Sequence, residues 1–167
     1  MKKISLIIAI VFLFAKADAQ LREPKLGIGA DFGFPMAGFD ENATYGLGGP
    51  LIYQQPLAPN LNITVNIGYL RFNGKKTIGT LKYRQSYIPI KGGARYFLGE
   101  YFYGGAEIGA ILPATSGNTT AFAYGPNLGL EFPVSDKGSL DFGIRYEGWL
   151  RNSGNESFIG LRAGYNF

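Results

Sequence analysis

Leu140-Asp141-Phe142-Gly143-Ile144-Arg145-Tyr146-Glu147 decides the reading of this chain. Every even residue is large and apolar, and every odd residue is Gly or charged. A period of two marks a strand with one apolar and one polar face, because successive side chains point to opposite sides. The same rhythm runs through 26–34, 61–69 and 159–167, and less cleanly through 43–54, 83–98, 102–112 and 121–132. That makes eight strands. Gly occurs 25 times and Pro 9 times in 167 residues, too often for long helices. Segments 35–42, 73–82, 113–120 and 151–155 read as polar loops; 55–60, 99–101 and 133–138 read as mostly tighter turns. Alternate long and short connections predict antiparallel neighbours in an up-and-down meander.

The length suggests one domain. Ahead of it, Met1-Lys2-Lys3 is a short positive start, 4–15 is an apolar run broken only by Ser5, and Ala17-Asp18-Ala19 fits a small-x-small cleavage pattern. These are the parts of a secretory signal, which predicts a leader over 1–19 and a mature domain over 20–167. An N-terminal membrane anchor is the competing reading, but the run is short for a spanning helix. No Cys stands at the cleavage site, so a bacterial lipoprotein is excluded. The leader holds three of the 16 basic and one of the 12 acidic residues, which leaves the mature chain at net +2. Such a small charge, unclustered, gives no reason to expect nucleic acid.

A sheet with one apolar face has two solutions. A soluble barrel or sandwich, lipocalin-like for example, turns that face inward; a membrane barrel turns it out to lipid. Three features favour the second. The polar face is rich in Gly, including Gly27, Gly29, Gly33, Gly129, Gly143 and Gly160. Gly weakens strands, but it suits a narrow lumen where space is short. Charges on that face nearly balance: Asp31, Glu107, Glu131, Asp141 and Glu147 against Lys91, Arg95, Arg145 and Arg162. In a confined lumen such charges can pair, whereas isolated ones would be costly.

The third feature is zoning of the apolar face. Tyr53, Tyr96, Phe102, Phe132, Phe142, Tyr165 and Phe167 fall at one end of the strands. Phe34, Tyr45, Tyr69, Phe122, Tyr124 and Tyr146 fall at the other, with aliphatic residues such as Leu47, Ile67, Ile90 and Leu130 between. This is the pattern of two interfacial girdles around a lipid band. From Tyr45 to Tyr53 is about 26 Å along a strand at roughly 3.3 Å per residue. Tilted by about 40°, that spans roughly 20 Å, near the expected band of about 25 Å. Arg71 and Arg84, also on this face, are expected near strand ends, where long side chains reach the interface.

Taken together, these readings resemble the small outer-membrane β-barrel proteins of Gram-negative bacteria, with the closest likeness to the barrels common in Bacteroidota. The resemblance covers the mature chain. It rests on Ala19-Gln20, on Tyr87-Ile88-Pro89-Ile90-Lys91-Gly92-Gly93-Ala94-Arg95-Tyr96-Phe97, and on the closing Gly160-Leu161-Arg162-Ala163-Gly164-Tyr165-Asn166-Phe167. It implies that Leu161, Ala163, Tyr165 and Phe167 form the C-terminal signal read by the barrel-assembly machinery. It implies no catalytic residues.

The available chemistry agrees. Cys and His are both absent, which removes disulfides, Cys or His metal sites and His-dependent acid–base catalysis. The enzymatic outer-membrane barrels rely on a catalytic His. A paired-carboxylate hydrolase using Glu107, Glu131, Asp141 and Glu147 is formally possible, but these carboxylates have basic partners at hand. No catalytic residue, cofactor or metal is expected. The expectation is an all-β, eight-stranded, antiparallel up-and-down transmembrane barrel in the outer membrane, porin-like in architecture, with both termini periplasmic. Its lumen is plugged by ion pairs and by Tyr87, Tyr103 and Trp149, and its role in the cell envelope is structural or interactive. A narrow small-solute channel and a secreted ligand-binding barrel are the alternatives. Expected partners are outer-membrane lipid, lipopolysaccharide, the assembly machinery and an unidentified protein. Lys75, Lys76, Lys82 and Arg84 lie in or beside one connection with no acid between them, a place where lipopolysaccharide phosphates could be held.

Overall fold

The computed structural model describes residues 23–78, 81–115, 119–152 and 154–167; for 75–78 and 81–83 it describes the backbone only. The leader over 1–19 lies outside the described residues. Eight strands follow in order: β1 (Lys25–Met36), β2 (Ala43–Ala58), β3 (Leu61–Ile78), β4 (Leu81–Phe97), β5 (Phe102–Pro113), β6 (Ala121–Pro133), β7 (Ser139–Arg151) and β8 (Gly154–Asn166). Each pairs antiparallel with its neighbour in sequence, and β1 closes the barrel on β8 from Gly27↔Asn166 to Met36↔Ser157. Phe167 continues the seam by donating its N–H to the Leu26 carbonyl at 2.8 Å. Closure leaves no free sheet edge, which is what a strand structure in lipid requires.

The sheet is inside-out relative to a soluble protein. Ile28 is 53% exposed, Leu128 50% and Ile144 48%, whereas Asp141 and Glu147 are each 1% exposed. Both aromatic sets expected at the strand ends face outward, Tyr165 being half-covered by its neighbours.

Several connections differ from the sequence expectation. Segment 73–82, read as a loop, is largely strand: β3 runs to Ile78 and β4 starts at Leu81, with Lys76 opposite Lys82. β2 accompanies β3 only as far as Ala43↔Gly74, and β5 meets β4 only from Tyr87↔Pro113. Beyond those points β3 and β4 form a two-stranded ribbon. Outside the barrel wall no lipid or lumen face imposes apolar alternation, so this strand character left no period to read. Arg71 therefore sits well inside β3 rather than at a strand end. Likewise 35–36, 55–58 and 154–158 are strand, and the β7–β8 connection shrinks to two residues, 152 and 153.

Candidate functional site

The site is the lumen, built where the inward parities of the eight strands meet. All nine charged residues assigned to it from the sequence point inward and are buried. Six of them close into one ring. Asp31 on β1 receives Arg145 (Nη2 to Oδ2, 3.0 Å) and Arg162 (Nε to Oδ1, 3.0 Å). Arg162 reaches Glu107 at 3.8 Å, and Glu107 receives Lys91 at 2.8 Å. Lys91 also bonds Glu147 at 2.9 Å, and Glu147 takes the Arg145 Nε at 2.7 Å, completing the circuit. Acid and base alternate, three of each, so the ring is electroneutral. Buried charges persist when each is paired and hydrogen-bonded, and a closed alternating ring gives every member two partners.

The other three charged residues lie nearer the chain termini. Arg95 bonds Asp141 at 2.5 Å and approaches Glu131 at 3.9 Å; Tyr103 donates to Asp141 at 2.7 Å and lies under the Arg95 guanidinium. Glu131 also takes Lys25 at 2.6 Å and the Ser139 hydroxyl at 2.8 Å. Sequence reading missed Lys25, because it precedes the first clean alternation. With it, this second cluster is electroneutral too. Below it a vestibule of about 550 Å³ opens at the terminal end, lined among others by Lys25, Glu131, Ser139 and Tyr101.

At the opposite, distal end the lumen is apolar. Phe39, Phe72, Tyr87, Trp149 and Phe158 are buried together. Phe39 lies 4.5 Å from Phe72, and Tyr87 lies 4.8 Å from Trp149, centroid to centroid. Phe39 comes from the first distal connection, where positive φ at Ala37 (47°) and Gly38 (85°) turns the chain into the barrel mouth. The Trp149 Nε1 donates to Glu147 at 2.9 Å, which ties this aromatic cluster to the charge ring. Tyr87 and Trp149 were legible from strand parity. Phe72 and Phe158 fell in short stretches left unassigned, and Phe39 fell in a segment read as loop.

Inward glycines make the ring possible. A Cβ at Gly160 would come within 2.8 Å of the Arg145 Cζ, and one at Gly129 would overlap the Tyr103 hydroxyl. Beside the ring lie two cavities of about 10 Å³, one next to Asn66 and Lys91, the other next to Asn127 and Arg162. Each has room for about one water. The Asn66 and Asn127 Oδ1 atoms are buried with no hydrogen-bond partner among the described residues, and each borders one of these cavities. No group of three or more acidic side chains that could hold a metal occurs among the described residues.

Leu161, Ala163 and Phe167 face outward on or just past the last strand, with Tyr165 half-buried; Tyr165 and Phe167 pack edge to face at 4.9 Å. Arg84 is exposed on β4, while the side chains of Lys75, Lys76 and Lys82 lie outside the described residues.

A closed eight-stranded barrel with an apolar exterior and a charged, paired interior defines a transmembrane β-barrel. The chain matches the family described as outer membrane protein beta-barrel domain over residues 5–167, and it belongs to that family. Solved structures of similar fold include Neisserial surface protein A (TM-score 0.64, 17% identity, 89% of this chain and 98% of that one). Another is the attachment invasion locus protein Ail of Yersinia pestis in complex with the heparin analogue sucrose octasulfate (0.57, 16%, 86% and 97%). A third is the N-terminal β-barrel domain of Pseudomonas aeruginosa OprF (0.52, 13%, 89% and 100%). No curated protein matches.

Proposed function

We propose that this outer-membrane barrel is a closed, non-enzymatic envelope protein whose role is structural or interactive. The observation that carries this reading is the stack of two electroneutral clusters capped by the aromatic cluster of Phe39, Phe72, Tyr87, Trp149 and Phe158. A hydrated ion crossing the lumen would have to break the charge ring and part five aromatic rings. The residual cavities of about 10 Å³ hold single waters, not a file of them. The carboxylates a hydrolase would need are all engaged by Lys or Arg.

In this reading the leader over 1–19 is removed and the short turns and termini face the periplasm. The distal ribbon then faces outward from the cell. The outward side chains of Leu161, Ala163, Tyr165 and Phe167 present the signal for the assembly machinery, as the resemblance to Bacteroidota barrels implies. Lipid and lipopolysaccharide are the immediate partners, with Lys75, Lys76, Lys82 and Arg84 on the outer side; a protein partner fits the interactive role.

Planar-bilayer recording of the refolded protein tests the central point. No resolved current steps are expected for the wild-type protein. Regular steps that persist at neutral pH would replace this reading with that of a narrow channel.

A further inference from the structure

We infer that Arg71 and Arg84 form a binding site for the phosphate of an anionic lipid head group on the outer wall of the barrel. This deepens the proposed envelope role and rests on the same membrane orientation. Arg71 pairs across β3–β4 with Ser86, and Asn73 pairs with Arg84, so the two arginines are diagonal neighbours. Diagonal positions stand about 7–8 Å apart, within reach of two long side chains converging on one group. Both are exposed and on the lipid-facing side, and no ion pair among the described residues engages either.

Their height fits head groups rather than acyl chains. Arg71 lies two residues beyond Tyr69, a member of the distal girdle, which is about 6.6 Å farther along the strand. Tyr69 stands below the pair and Tyr45 beside it, opposite Asn73; the Tyr69 hydroxyl donates to the Ser86 Oγ at 2.7 Å. The electrostatics are one-sided. No acidic residue occurs from 42 to 99, so β2, β3 and β4 carry none. The two basic residues of these strands that point inward, Lys91 and Arg95, are already neutralised in the lumen. A guanidinium pair matches a phosphate bidentately, and a basic site at the membrane surface attracts anionic head groups. This places the anion site on the wall at Arg71 and Arg84, whereas the sequence reading grouped Arg84 with Lys75, Lys76 and Lys82.

The test is native mass spectrometry of the refolded protein with bis-phosphorylated lipid A and with its dephosphorylated form. Charge-assisted bonds to phosphate are each worth a factor of about ten or more, so wild type should favour the phosphorylated lipid at least about tenfold. Arg71→Gln/Arg84→Gln should abolish that preference, while Lys75→Gln/Lys76→Gln/Lys82→Gln should keep most of it. The inference is overturned if the arginine variant keeps the preference, if the lysine variant loses it, or if millimolar inorganic phosphate competes equally well. A heat-dependent gel shift in every variant shows that the barrel has formed. Its absence in wild type would instead count against the membrane-barrel reading itself.

Discussion

Leu130 and Glu131 are adjacent in sequence and live in different solvents. Leu130 faces outward on the apolar wall, between Phe102 and Phe142 of the terminal girdle, while Glu131 faces Lys25, Ser139 and Arg95 in the lumen. Leu128→Arg, two residues nearer the centre of the band, places a cation in hydrocarbon and should lower stability by about 2–4 kcal/mol. Glu131→Gln should destabilise by a different route, leaving Lys25 without its charge partner. Lys25→Met added to Glu131→Gln should then recover part of the loss, since an unpaired charge costs more than a missing pair. Urea unfolding in lipid vesicles measures all three. A harmless Leu128→Arg would mean that the inside and outside faces have been exchanged.

At the scale of the strand, alternation was legible wherever one face meets lipid and the other the lumen. Segments 26–34, 61–69 and 140–147 announced themselves for that reason, and the nine lumen charges followed from parity alone. What was hidden is what lies outside the band. The β3–β4 ribbon lies beyond the barrel wall, where nothing imposes a period of two, and Asn, Gly, Lys and Thr there read as loop. Phe39 was hidden for another reason: its place in the lumen depends on the turn at Ala37 and Gly38, a feature of the backbone and not of composition. In the sheet ladder β3 and β4 pair only with each other beyond Gly74 and Tyr87, and the last backbone bonds to the next connection are those of Ser86 with Ala114 and Thr115. Replacing 75–82 by a two-residue turn should therefore leave folding intact. The heat-dependent gel shift and its midpoint should match wild type within a few degrees, whereas failure to fold would show that the ribbon nucleates the barrel.

Across the whole molecule, polarity is layered along the axis as well as across the wall. From the terminal end inward come a wet vestibule, a four-charge cluster, a six-charge ring and an aromatic cap. The net charge of the two clusters is zero, so ten ionised side chains share the lumen with each charge set against a partner of opposite sign. Glu147 joins the layers, holding Lys91, Arg145 and Trp149 at once.

The outward direction of the apolar face underlies every layer of this description, and the absence of Cys makes it directly measurable. Single cysteines at Val65, Leu130 and Ile144, each carrying a fluorophore in lipid vesicles, should be strongly quenched by bilayer-embedded nitroxide lipids and hardly at all by aqueous iodide. The account is contradicted if those positions are shielded from the lipid quencher, or if the unlabelled protein is monodisperse in buffer without detergent.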